Sequence, residues 1–421
     1  KTALPTDWLD DLGNRQIVIR GRGGVGKTVI LLQMAYRAFD DTGMRSLMLT
    51  YNKALVADMR RSMALLGVPR NLENGGIAIN TVHAFIGRLM RELGIIRTDD
   101  AFLEHYEKHK GALVDYLQSG AVSAQDLSAI VEEQADEFAW DVIFVDEGQD
   151  WPSDEIDILR AVYPLEHIVV ADGVDQYVRE SVADWRAGLA LEKFRPRRLR
   201  RCLRMKANLA QFVADCAGAF DLQNWDLEPN HDANGGRVLI VEGDMTRDLK
   251  IYERLRSEAE ELGNYPVDLL ACVPPSLVYR DSEISFSIPG QVIHQSGGLV
   301  WDATAVDVRE QYPTARDALR IVQYDSCRGL EGWTVINYAF DEFYEYKYKQ
   351  RMDAPDELGE TFDTKEALAA AFAAQWAMIP MTRAMDTLVI NISNRSSSLK
   401  DVLKAVYEKR RDYIEWVEID Q

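Results

Sequence analysis

The run Gly21-Arg22-Gly23-Gly24-Val25-Gly26-Lys27-Thr28 constrains this chain more than any other, because it fits G-x-x-x-x-G-K-[ST]. The apolar residues 17–19 before it read as a buried strand. Residues 28–39 after it carry apolar side chains at helical spacing. A strand that feeds a glycine-rich turn into a helix lets backbone amides wrap phosphates and adds the positive end of the helix dipole. Gly21, Gly23, Gly24 and Gly26 are the expected phosphate cradle. Lys27 is expected at the β and γ phosphates of ATP, and the Thr28 hydroxyl on Mg²⁺.

A second motif completes that chemistry. Val142-Ile143-Phe144-Val145 ends in Asp146-Glu147-Gly148-Gln149-Asp150. An apolar strand that ends in adjacent acids places Asp146 at the carboxyl edge of a sheet, where it is expected to bind Mg²⁺. Glu147 is the expected base that orients the attacking water.

Short apolar runs alternate with helical patterns through most of the chain, the signature of parallel sheets covered by helices. Strands are expected over 46–50, 77–80, 142–145 and 167–171, then over 237–241, 267–273, 319–323, 335–340 and 388–392. Helices are expected over 247–262 and 364–378. These runs divide into two α/β domains, 1–195 and 196–421. A polar, mostly helical insertion occupies 91–139 of the first, and an exposed excursion occupies 341–363 of the second. At 421 residues and 47% hydrophobic, the chain has enough apolar material for large cores.

No apolar run approaches the ~18 to 20 residues of a membrane helix, so no membrane is expected. Lys1 stands first and no signal-peptide pattern follows, so a processed chain or a piece of a longer protein is expected. Cys202, Cys216, Cys272 and Cys327 lie far apart, as in a reduced cytoplasmic protein. A net charge of -20 argues against a surface that binds nucleic acid everywhere, though not against a local basic groove. The densest basic stretch, 193–206, reads equally as such a groove or as a solvated face.

The order of the motifs resembles that of the UvrD/Rep-like superfamily 1 helicases, over nearly the whole chain. Residues 146–150 are similar to that family's DExQD box. The segment 47–54, with Tyr51 and Asn52, looks like motif Ia, and 80–85, with Thr81, His83 and Phe85, looks like a T-x-H-x-F strand contact. Alone, Tyr51 and Phe85 would read as core residues. Their place in the series makes them stacking candidates for bases. Residues 169–177 resemble motif III, with Gln176 as γ-phosphate sensor and Tyr177 and Trp185 on the nucleic-acid side.

Residues 200–204 resemble motif IV, which implies Arg204 near the γ-phosphate, but Leu203 replaces the usual aromatic. Residues 326–331 resemble motif V, with Glu331 toward the ribose and Asp325 where a histidine is usual. Residues 380–384 resemble motif VI, which makes Arg383 an arginine finger. No clear adenine-reading Q motif precedes the phosphate loop. The resemblance implies two RecA-like domains that hydrolyse ATP with Mg²⁺ at the cleft between them while moving along single-stranded DNA, RNA not being excluded. The alternative is a P-loop ATPase switch that controls a protein partner or fused effector such as a nuclease.

Overall fold

The computed structural model describes residues 6–51, 55–56, 59–60, 63, 67–69, 76–97, 102, 104–173, 185, 190–222, 225–281, 285–309, 313–354 and 364–419. Contacts divide the chain into two compact units. The first is Lys1–Arg22 with Gly26–Leu199, and the second is Gly23–Val25 with Arg200–Gln421.

The strands of the first unit are β1 (Gln16–Arg20), β2 (Arg45–Thr50), β3 (Gly76–Thr81), β4 (Val142–Val145), β5 (Ile168–Asp172) and β6 (Phe194–Arg198). Its helices are α1 (Thr6–Leu9), α2 (Lys27–Thr42), α3 (Val82–Glu92), α4 (Tyr106–Ser119), α5 (Ala124–Glu133), α6 (Ala135–Phe138) and α7 (Ser153–Val162). The strands form one sheet in the order β3-β2-β4-β5-β1-β6, parallel at every pairing. Successive side chains on a strand point to opposite faces, and the core divides accordingly. Val18, Leu47, Leu49, Ile143, Val145 and Val170 pack on one face. Ile17, Ile19, Met48, Phe144, Val169 and Ala171 pack on the other, with α2. The insertion between β3 and β4 belongs to the first of these cores, into which it sends Tyr106, Leu113, Leu127 and Phe138.

The basic stretch does not form an open cationic groove among the described residues. It begins as β6, parallel to β1 and last in the sheet, and acids neutralise much of it. Arg195 and Arg197 lie 3.6 and 3.2 Å from Asp11, Lys193 pairs with Glu166, Arg200 lies 3.9 Å from Asp226 and Arg201 pairs with Asp232.

The second unit holds β7 (Arg237–Glu242), β8 (Leu269–Val273), β9 (Val278–Arg280), β10 (Ser285–Ser287), β11 (Leu299–Asp302), β12 (Ala318–Gln323), β13 (Gly332–Asn337), β14 (Ala384–Ile392) and β15 (Ile414–Glu418). Its helices are α8 (Ala207–Ala219), α9 (Leu249–Glu261), α10 (Ile288–Gln295), α11 (Val306–Arg309), α12 (Phe340–Asp353), α13 (Lys365–Met381) and α14 (Ser398–Lys409). Seven strands form a parallel sheet in the order β11-β12-β8-β13-β14-β7-β15, and β9 with β10 makes a separate antiparallel pair.

The exposed excursion expected over 341–363 needs correction. Its first part is helix α12, on which Phe340 and Phe343 are 0% exposed and Lys347 is buried 3.6 Å over the Trp376 ring of α13. Spacing of three and four residues makes 340, 343 and 347 one stripe, which the surrounding Tyr, Glu and Lys residues obscure. Residues 355–363 lie outside the described residues. No helix among the described residues is long and apolar enough to cross a membrane.

Candidate nucleotide and strand-binding site

β1 delivers the chain to the glycine loop at the carboxyl edge of the first sheet, the edge where open parallel sheets take ligands. Gly26, the N-cap of α2, has φ 83° and ψ 27°. That left-handed conformation costs glycine nothing and strains any residue with a Cβ. Gly24 at φ 88° has the same requirement, and Gly21, Gly23 and Gly24 are all buried. Lys27 is 6% exposed, and its Nζ donates to the loop carbonyls of Gly21 at 2.8 Å and Arg22 at 3.3 Å.

Thr28 Oγ1 donates to Asp146 Oδ2 at 2.8 Å, so helix α2 and strand β4 bring the two candidate metal ligands together. Asp146 is 0% exposed. Burial, followed by the neighbouring Glu147 charge, pushes its carboxyl up to about 7, against the pull of Thr28 and Lys27. A hydroxyl beside a buried carboxylate that is short of positive charge is an oxygen donor set that suits Mg²⁺.

Glu147 has φ 51°, a left-handed backbone in a residue other than glycine, and such strain accumulates at functional positions. Gln149 holds its carboxylate through a 2.8 Å bond from Nε2, while Gln149 Oε1 accepts from Gly173 N at 2.6 Å. Gln149 thus ties the acid to Gly173, in the middle of the segment likened to motif III. In the sequence alone, Gln149 is one letter of the acidic box with no role of its own. Its place two residues after the acid was the available signal. Gln16 is buried at the amino end of β1, away from the loop, and its side-chain amide has no hydrogen-bond partner among the described residues.

The strand-contact candidates divide. Tyr51 follows β2 and donates its hydroxyl to Glu155. His83 is half-buried, with its ring 5.5 Å from that of Tyr51. Thr81 caps α3 by accepting from Ala84 N at 3.2 Å.

Phe85 is corrected from stacking platform to core residue. It is 3% exposed and packs against Phe138 and Tyr163, because 82, 85, 86 and 89 form the apolar stripe of α3. Trp185 receives the same correction. At 3% exposure, it donates Nε1 to Gly148 O at 2.9 Å and meets Trp151 edge-on. Asn52, Gln176 and Tyr177 lie outside the described residues.

In the second unit, Arg204 Nε lies 2.8 Å from Glu331 Oε2, and its Nη1 donates to Thr382 O at 3.1 Å. Arg383 is 2% exposed, donates Nε to Ile379 O and accepts at its carbonyl from Gly332 N. Arg204, Glu331 and Arg383 are therefore neighbours. Arg320 steadies them by donating to Glu331 O at 2.7 Å. Leu203, at the usual aromatic position, is 41% exposed.

Comparison with protein-family models gave no match, and a search of curated proteins found no relative.

Proposed function

We propose that the chain is an ATP-dependent translocase or helicase of the UvrD/Rep type, built on two RecA-like domains and acting on single-stranded DNA. The observation that carries this reading is the 2.8 Å bond between Thr28 and Asp146 beside Glu147, at the end of a parallel strand and the start of the phosphate-loop helix. In this reading the loop amides and Lys27 hold the phosphates of ATP, and Lys27 leaves its carbonyl partners to do so. Thr28 and Asp146 hold Mg²⁺, which supplies charge neutralisation of the β and γ phosphates. Glu147 orients and deprotonates the attacking water, and Gln149 fixes the angle of its carboxylate.

Within the second unit, the neighbouring Arg204, Glu331 and Arg383 are the residues for which the motif resemblance implies nucleotide contacts. Tyr51 and His83 support the single-strand assignment, since rings at a sheet edge suit sequence-tolerant stacking. The test is steady-state ATP hydrolysis with and without single-stranded DNA or RNA, beside Glu147→Gln. The reading expects strong stimulation by the strand and a loss of turnover in the variant of about 10² or more. Turnover in the unmodified protein that ignores both nucleic acids would remove the motor and leave an ATPase switch for a protein partner or fused effector.

A further inference from the structure

We infer that Glu155 and Tyr106 position Tyr51 and His83, so that the helical insertion sets how firmly the protein grips a single strand. The inference rests on the strand-binding reading above and names residues that the motif series leaves out. Glu155, on the first turn of α7, is 1% exposed. One carboxylate oxygen accepts from Tyr106 OH at 2.8 Å and the other accepts from Tyr51 OH. Tyr106 belongs to insertion helix α4, and its ring centroid lies 4.5 Å from that of His83. One turn on, Lys110 has a side chain only 4% exposed, with Nζ 2.9 Å from Asp154, 2.9 Å from Glu107 and 3.9 Å from Glu155.

A buried carboxylate is costly to desolvate, and an apolar corner of the same volume would hold α4 against α7 at least as well. What the polar corner adds is direction. The Tyr51 hydroxyl is pinned, and its ring meets His83 at 5.5 Å and Trp151 at 5.8 Å, both edge-on. The ring plane is therefore fixed before any base arrives, which removes the ordering cost from binding. Trp151 follows the acidic box and also contacts Trp185, the donor to Gly148 O. The fixed ring thus stands one side chain away from the segment that carries Glu147.

The test uses Tyr106→Phe, which keeps the ring packing and removes one hydroxyl, with Glu155→Gln as the conservative partner and Glu155→Ala as the severe one. Binding of a labelled oligodeoxythymidylate is read by fluorescence anisotropy, strand-stimulated ATP turnover is followed against oligonucleotide concentration, and unfolding midpoints are measured alongside. The expected result for Tyr106→Phe is a half-saturating concentration raised about tenfold, the worth of one hydrogen bond to a charged group, with maximal turnover kept. Glu155→Gln, which retains an acceptor, should fall between Tyr106→Phe and the unmodified protein, and Glu155→Ala should be weakest.

A lowered unfolding midpoint with unchanged affinity overturns the inference and makes the corner purely structural. Tighter binding also overturns it, since Tyr106 would then obstruct the strand. If the unmodified protein binds neither the DNA nor an RNA oligonucleotide, the strand-binding reading fails first and this inference falls with it.

Discussion

Replacing Asp146 by Asn should stabilise the nucleotide-free protein at pH 8 and change it far less at pH 5. The carboxyl is fully buried and its pKa is raised from 3.8 to about 7. A displacement of that size corresponds to about 4 kcal/mol between the two protonation states. Because the folded pKa is the raised one, the stability contributed by the protonated form is fully present below pH 3.8 and is lost as pH rises through about 7. Carried through the two ionisations, the loss is about 2 kcal/mol at pH 5 and about 4 kcal/mol at pH 8.

The asparagine has no such loss. The Thr28 hydroxyl, which both donates and accepts, can turn to meet the amide. The advantage of Asp146→Asn should therefore grow by at most about 3 kcal/mol between the two pH values. The assay is urea unfolding with a chelator present, followed by tryptophan fluorescence. Hydrogen exchange of the β4 amides assigns the transition to the first unit. A difference that stays flat to about 0.5 kcal/mol from pH 5 to pH 8 would refute the argument. With Mg²⁺ and ATP added the order should reverse, because the variant lacks the carboxylate that would hold the ion.

Two further outcomes are expected. Gly148→Ala would place a Cβ 2.3 Å from Val170 Cγ1 and 3.3 Å from the Ala171 carbonyl. It should cost about 2 to 3 kcal/mol by overpacking and lower ATP turnover by displacing Glu147, as calorimetry and an ATPase assay would read. Phe85→Leu should cost about 1 kcal/mol of stability in urea titration and leave oligonucleotide affinity within about twofold, as suits a core residue.

Most interior strands of both sheets were legible because each is a short apolar run, whereas the outer strands β6, β11 and β15 were not, β6 being hidden in the basic stretch. The glycine loop and the acidic box were legible because each is a local pattern. Side-chain direction was not. Phe85 and His83 sit two residues apart in one short motif, yet helix α3 turns the first into the core and leaves the second half-buried, which only the stripe of 82, 85, 86 and 89 reveals. The arginines before the second unit suggested a groove until their acids were located, and Asp11 lies far from them in sequence. Glu155 was the least visible, since an acid in the first turn of a helix ordinarily faces water. Its burial follows from the packing of α4 against α7, a contact that no local pattern encodes.

Strand β6 has a consequence for how copies of this chain treat one another. A parallel sheet that ends in a bare strand offers its unpaired amides and carbonyls to any other chain, and that is the usual start of edge-to-edge aggregation. Here the last strand reads Phe194-Arg195-Pro196-Arg197-Arg198. It carries a proline that has no amide to offer, together with three arginines. Part of the stretch that looked like a grip for nucleic acid is thus the last described strand of the sheet, with one amide fewer to offer, a poor template for a second copy to extend.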